Sequence, residues 1–139
     1  MARRPKAYVF DSWAVLSYFQ NEPTAEMVEN IIADAHEYDI PIFMSVVNAA
    51  EVWYIKARRS SPSDADTAIR ELKQLGIHFV DAHWELAQEA GRFKAKNRMS
   101  FADCFAAALA KNRKASLVTG DRQFKQVENE VKINWLAAR

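Results

Sequence analysis

Phe101 to Ala110 are ten consecutive residues of which only Asp103 is charged, set between Ser100 and the polar Lys111-Asn112-Arg113-Lys114. A stretch that apolar leaves no helix face for water, so it reads as a buried helix opened by Ser100. Ala115 to Thr119 follows as a short buried strand, and Thr119-Gly120-Asp121 is the turn that stops it. Helix, strand and acidic turn in that order suit a parallel α/β sheet with its working groups at the carboxyl edge. Both acids also have ordinary structural readings. Ser100-Phe101-Ala102-Asp103 fits a capping box, where a first-turn acid suits the helix dipole, and Asp121 could simply begin a turn.

The rest of the chain repeats the alternation. Ala7 to Phe10 is a short apolar run ending abruptly in Asp11-Ser12, a buried first strand with a carboxylate at its carboxyl end. Ser12 is placed to cap a helix over Trp13 to Gln20, and Pro23 to open a second that runs to about Tyr38. Pro41 to Met44 is a second strand, and Ser45 the cap of a third helix, Val46 to Arg59. At about 100° per residue, Val46, Val47, Ala50, Trp53, Tyr54 and Ala57 share one arc of that helix, expected to face the core. Glu51 falls at the border of the arc, where a carboxylate can point into a cleft. Val52 and Ile55 lie off it, which suggests burial by a second subunit. Ser61-Pro62-Ser63 starts a fourth helix ending at Gly76. Ile77 to Val80 is a third strand, Asp81 the expected cap of a helix over Trp84 to Lys96, and Val131 to Trp135 a closing strand.

At 139 residues, half of them hydrophobic, the chain 1–139 is expected to be one globular domain with one substantial core. A formal net charge of +1 leaves any electrostatic case to local clusters. One cysteine, Cys104, excludes an intrachain disulfide and a thiolate metal cluster, and none of the three histidines is spaced to pair with another ligand. With neither a signal-length nor a membrane-length apolar run, a cytoplasmic protein is expected.

Asp11 ends strand one, Glu51 rides on the helix after strand two, Asp103 opens the helix before strand four, and Asp121 follows strand four. In a parallel sheet these positions converge on one edge. Clustered carboxylates repel, a hard divalent cation relieves the repulsion, and oxygen-only ligands favour Mg²⁺ or Mn²⁺. Such an ion serves phosphoryl chemistry by polarising the phosphate and activating water.

Asp11-Ser12, the SVVNAAEV block from Ser45 to Val52, SFADCFAAALA and TGDRQF together resemble the PIN-domain ribonucleases, nearest to the VapC-like toxins of type II toxin–antitoxin pairs. The resemblance spans nearly the whole chain, in order and spacing. It implies a three-layer α/β/α fold on a central, mostly parallel sheet. Carried over motif by motif, the metal-binding and catalytic acids fall on Asp11, Glu51, Asp103 and Asp121, with Ser12 and Thr119 supporting. It further implies RNA cleavage with Mg²⁺ or Mn²⁺, a homodimer, and an antitoxin that docks into the cleft. Many relatives carry a further acid two residues beyond the last aspartate; here that place is Gln123, which bears on a second metal rather than the first.

Candidate phosphate contacts are Arg58-Arg59, Lys94-Lys96-Arg98, Lys111-Arg113-Lys114 and Arg122-Lys125, of which Arg58, Lys94, Arg98 and Arg122 are assigned to RNA. The same residues also suit solvated helix ends, and Trp13 and Tyr18 read as core packing rather than base stacking. A phosphatase of the haloacid-dehalogenase kind needs an aspartate where this chain has Trp13. The residues are also compatible with a degenerate PIN-like RNA- or protein-binding module, and with a housekeeping RNA-processing nuclease.

Overall fold

The computed structural model describes residues 3–137, in which the short apolar runs become one five-stranded sheet. The strands are β1 (Tyr8–Phe10), β2 (Ile42–Ser45), β3 (Ile77–Val80), β4 (Ser116–Thr119) and β5 (Ile133–Trp135). Their order is β3-β2-β1-β4-β5 and every pairing is parallel, so the sheet is parallel throughout rather than mostly so. Alternation along the central strands sends Val9 and Leu117 to one face and Tyr8, Phe10 and Val118 to the other.

Six α-helices cover the two faces: α1 (Ser12–Phe19), α2 (Ala25–Glu37), α3 (Val46–Arg59), α4 (Pro62–Gln74), α5 (Trp84–Lys96) and α6 (Phe101–Arg113). Helices α5 and α6, with a 3-10 helix over Arg122–Val127, pack on the Val9 face; α1 to α4 supply the core of the other. The result is an α/β/α sandwich. Helix α6 is its buried element, with Cys104 to Ala110 all buried. Four alanines in that run, Ala106, Ala107, Ala108 and Ala110, leave the helix slim enough to lie against both the sheet and α5. It continues past the apolar run to Arg113, because Lys114 at φ +52° closes it by bonding back to the carbonyls of Ala110 and Lys111.

Several sequence expectations are corrected. Asp11, not Ser12, caps α1, and His83, not Asp81, caps α5 through an Nδ1 that accepts from the Leu86 N–H at 3.3 Å. Helix α4 stops at Gln74, leaving Gly76 to take φ +88° on the way into β3. The larger correction concerns α3. Its buried residues are Asn48, Ala49 and Val52, while Ala50 and Tyr54 of the expected core arc are exposed. Val52 is 0% exposed, so its burial requires no second subunit. Hydropathy ranked the valine–tryptophan arc as the inner one, but α4 packs along α3 and covers the Val52 side, and a polar Asn48 goes inside.

Candidate active site

The chain leaves β1 toward β2 and β3, then returns to place β4 on the other side of β1. The connections therefore reverse direction between β1 and β4, and a parallel sheet opens a crevice just beyond the strand ends at such a point. Asp11 follows β1 directly, and Asp121 lies two residues beyond the end of β4. Sheet order thus brings together two acids that stand 110 positions apart in sequence.

Asp11 is 1% exposed and held on both oxygens. Oδ1 accepts from the Ala14 N–H at 2.8 Å, the α1 cap, and Oδ2 accepts from the Thr119 hydroxyl at 2.5 Å. The Thr119 oxygen in turn accepts from the Asp121 N–H at 3.0 Å, so one buried hydroxyl joins the two strand ends. Burial pushes the Asp11 carboxyl up from 3.8 to about 8; the Thr119 and Ala14 hydrogen bonds oppose this, and the charges of Asp103 and Asp121 add to it. Asp121 caps the 3-10 helix, its Oδ1 accepting from the Gln123 N–H at 3.0 Å. The Gln123 side-chain oxygen accepts from Gln126.

Asp103 arrives on the first turn of α6. The Ser100 hydroxyl accepts from its N–H at 3.1 Å, which is half of a capping box. The return bond from the Ser100 N–H to the carboxylate is absent among the described residues. Burial first, then the negative charge of Asp121 and, less strongly, that of Glu51, raise the Asp103 carboxyl from 3.8 to about 6 against a lowering hydrogen bond from Ser100. Asp103 therefore shares a field with Asp11, Asp121 and Glu51, which a surface cap would not. Glu51 itself is half-buried on α3.

Asn48, one turn before Glu51, is a residue that hydropathy could not single out. Fully buried, it donates to the Ser12 hydroxyl at 3.4 Å and to the Ala102 carbonyl at 3.1 Å, while Ser12 donates to the Asn48 carbonyl at 3.2 Å. It thereby ties the N-termini of α1 and α6, the elements carrying Asp11 and Asp103, to the helix carrying Glu51. Its Oδ1 is a buried acceptor without a partner among the described residues. In the sequence it stands off the arc expected to face the core, so helical periodicity offered no signal for it.

The basic residues divide. Arg122 lies one residue past Asp121, and Lys94 and Arg98 flank the loop into α6, where Lys94 donates to the Met99 carbonyl at 2.6 Å and Gln126 pairs with the Arg98 backbone. Arg58 stacks on Tyr54, one turn earlier on α3, whereas its neighbour Arg59 lines a cavity that Gly120 and Arg122 also line. Lys111 pairs with Glu130 at 3.2 Å and Glu89 at 3.6 Å, and Arg113 stacks on Phe43. Both sit at the C-terminal end of α6, roughly 12–15 Å along the axis from Asp103. They are not brought to the acids.

Among the described residues, no three His, Cys, Asp or Glu side chains converge on a common point as a finished metal cage. Uncompensated carboxylates repel and stand apart, and Mg²⁺ keeps several waters while taking one or two carboxylates directly. An all-oxygen, anionic donor set that is coupled but open fits a hydrated hard divalent cation, not a closed zinc site.

The family model for the PIN domain matches residues 8–130, and the chain belongs to that family. No curated protein sequence matches it. Among solved structures it is similar to VapBC2 from Rickettsia felis bound to a promoter DNA fragment, with a TM-score of 0.76 and 14% identity over 94% of this chain and 99% of that one. It is similar to the DNA-bound VapBC of Salmonella typhimurium (TM-score 0.73, 14% identity, 94% and 98% covered). A third is the Mycobacterium tuberculosis toxin VapC20, described as cleaving the sarcin–ricin loop (0.71, 13%, 87% and 95%). At such identities the shared property is the fold. Among the described residues no helix is long and apolar enough to cross a membrane.

Proposed function

We propose that this protein is a divalent-metal-dependent endoribonuclease, the toxin of a type II toxin–antitoxin pair. One observation supports it: Asp11 and Asp121 follow the adjacent strands β1 and β4 and are joined through the Thr119 hydroxyl, with Asp103 near enough for its charge to add to the effect of burial on Asp11. Asp11, Asp103 and Asp121 would hold Mg²⁺ or Mn²⁺, with Glu51 at the rim. When bound, the ion supplies polarisation of the scissile phosphate and neutralisation of charge developing on it.

The chain's own residues do the rest. Thr119 and the Ala14 N–H fix the Asp11 carboxylate in one orientation, each using one lone pair and leaving others free. Glu51, half-exposed, is in reach of solvent and orients the attacking water. Arg122, next to Asp121 in the chain, and Lys94 and Arg98, near the loop that leads into α6, would hold flanking phosphates. Because water is the nucleophile, the RNA 2′-hydroxyl is not consumed, and the products carry a 5′-phosphate and a 3′-hydroxyl. Cleavage of RNA should stop in excess EDTA and return with Mn²⁺; cleavage at full rate in EDTA removes the proposal.

A crevice of acids with apolar borders suits a partner peptide that brings in Arg or Lys, the expected role of the antitoxin. Overproduction of the protein should slow growth, and co-expression of a neighbouring small reading frame should relieve it. If overproduction leaves growth unchanged, the toxin assignment falls and the nuclease assignment stands. Homodimerisation moves to the outward arc of α3, where Ala50 is exposed and Tyr54 is 43% exposed. Light scattering across a dilution series should give twice the protomer mass; a monomer throughout excludes it.

A further inference from the structure

Beside Asp121 the molecule carries a cavity of about 650 Å³ that the acids do not use. It starts at Gly120 and Arg122, on either side of Asp121, and extends between α1 and the end of β5. That volume is in the range of small-ligand sites and has room for a nucleotide. Its walls are the indoles of Trp13 and Trp135, with Arg59 at the far side. The hydroxyls of Ser17 and Thr24, buried and hydrogen-bonded to each other, add polar groups to the lining.

Trp13 is the informative residue. Its sequence position suits the core, yet it is 37% exposed although it follows the buried Asp11-Ser12 pair. Its ring lies hard against Gly120: a Cβ added there would stand 2.3 Å from the indole. Only a residue without a side chain between Thr119 and Asp121 lets an aromatic ring reach this close to the acids. The ring is thus held in place while part of its surface stays open to solvent. Arg59 and Arg122 bring two cations to the same cavity against one acid, Glu22, so it favours an anion. Flat aromatic surface and cations beside a phosphate-processing crevice match a nucleotide better than a basic peptide, which the cavity's own arginines would repel.

We propose that this cavity seats a nucleotide next to the scissile phosphate, its base stacked on Trp13 and its phosphate held by Arg122 and Arg59. The inference rests on the ribonuclease function proposed above and assigns part of the RNA footprint to that site. Sequence preference in cleavage then comes from this cavity rather than from the acids.

The test uses fluorescently labelled RNA hexamers of A, C, G and U with the Asp103→Asn protein in Mn²⁺, where cleavage is stopped, and reads binding by polarisation. At least one hexamer should bind, and adding Trp13→Ala should weaken it roughly 5- to 100-fold, the range for loss of one base stack. Trp13→Phe, which keeps an aromatic face, should lose less than about fivefold. If Trp13→Ala melts early, Arg122→Gln, which should also weaken binding by removing a phosphate contact, decides the matter. Equal binding by the Phe and parent proteins together with equal binding by a folded Ala variant, or by Arg122→Gln if Ala does not fold, overturns the proposal. So does a cavity that ignores every hexamer but binds an arginine-bearing amphipathic peptide, which would assign it to the partner protein. The two inferences fail separately. If the native protein cuts no RNA in Mn²⁺, the ribonuclease function is wrong. If it cuts, and the Trp13 variants cut the same sites with unchanged KM, only the subsite is wrong.

Discussion

Replacing Asp103 with Asn should abolish cleavage, lowering kcat by at least about a hundredfold, while leaving the metal-free protein as stable as the parent or more so near neutral pH. The sign follows from the carboxyl being raised to about 6 in the fold from 3.8. A raised acid binds its proton more tightly when folded, so stability is fully present below about pH 4, declines as pH rises toward 6, and stays reduced above. The difference amounts to about 1–2 kcal/mol once solvent screening is allowed for. Asparagine removes it and keeps the N–H that Ser100 accepts from. Asp11, raised to about 8, extends the same decline to higher pH in both proteins. Metal reverses the order. An ion bound only by the folded parent at a hundred times its dissociation constant adds about 2.7 kcal/mol, near 10 °C in melting temperature for a chain of this size, and should add much less to the variant. Melting curves in EDTA and in Mn²⁺ read all of this. A variant strongly destabilised in EDTA, beside a parent with no metal shift, would make Asp103 a helix cap and nothing more.

Thr119→Val should be the most damaging single change that removes no charge. The substitution keeps the shape and removes the hydroxyl on which two groups depend, Asp11 Oδ2 at 2.5 Å and the Asp121 N–H at 3.0 Å. Leaving both unpartnered in a site that is 0% exposed at Thr119 costs about 2–4 kcal/mol. The Asp11 carboxyl rises further, since the Thr119 bond is the largest influence holding it down. Activity should fall with stability, because the carboxylate of Asp11 loses its orientation and Asp121 its anchor. Thr119→Ser keeps the hydroxyl and should recover most of both. Urea denaturation at pH 7 measures it. A Val variant within about 0.5 kcal/mol of the parent would show that the hydroxyl does not join the strand ends.

Much of this protein was written locally. A ten-residue run with one charge has to be a buried helix, because no amphipathic face exists to be solvated. Short apolar runs cut off by Asp11 and by Gly120-Asp121 have to be buried strands ending in polar turns. From these, the α/β class and the four acids followed. Helix α3 did not follow, since hydropathy counts apolar groups and cannot see which neighbour arrives: Val52 turns into the core, Trp53 donates to Asp66 of α4, and of the expected arc Ala50 and Tyr54 are left exposed. Asn48 was equally hidden, because its value lies in bonding both to Ser12 and to Ala102, 54 residues onward. Strand order was decided by tertiary structure alone, and with it the placement of β1 beside β4, which turns two turn-forming aspartates into one crevice. The cavity beside it is tertiary too. A glycine in a turn is ordinary in sequence, and only the fold lays the Trp13 indole on it, because contacts between distant segments have no period for a sequence to display.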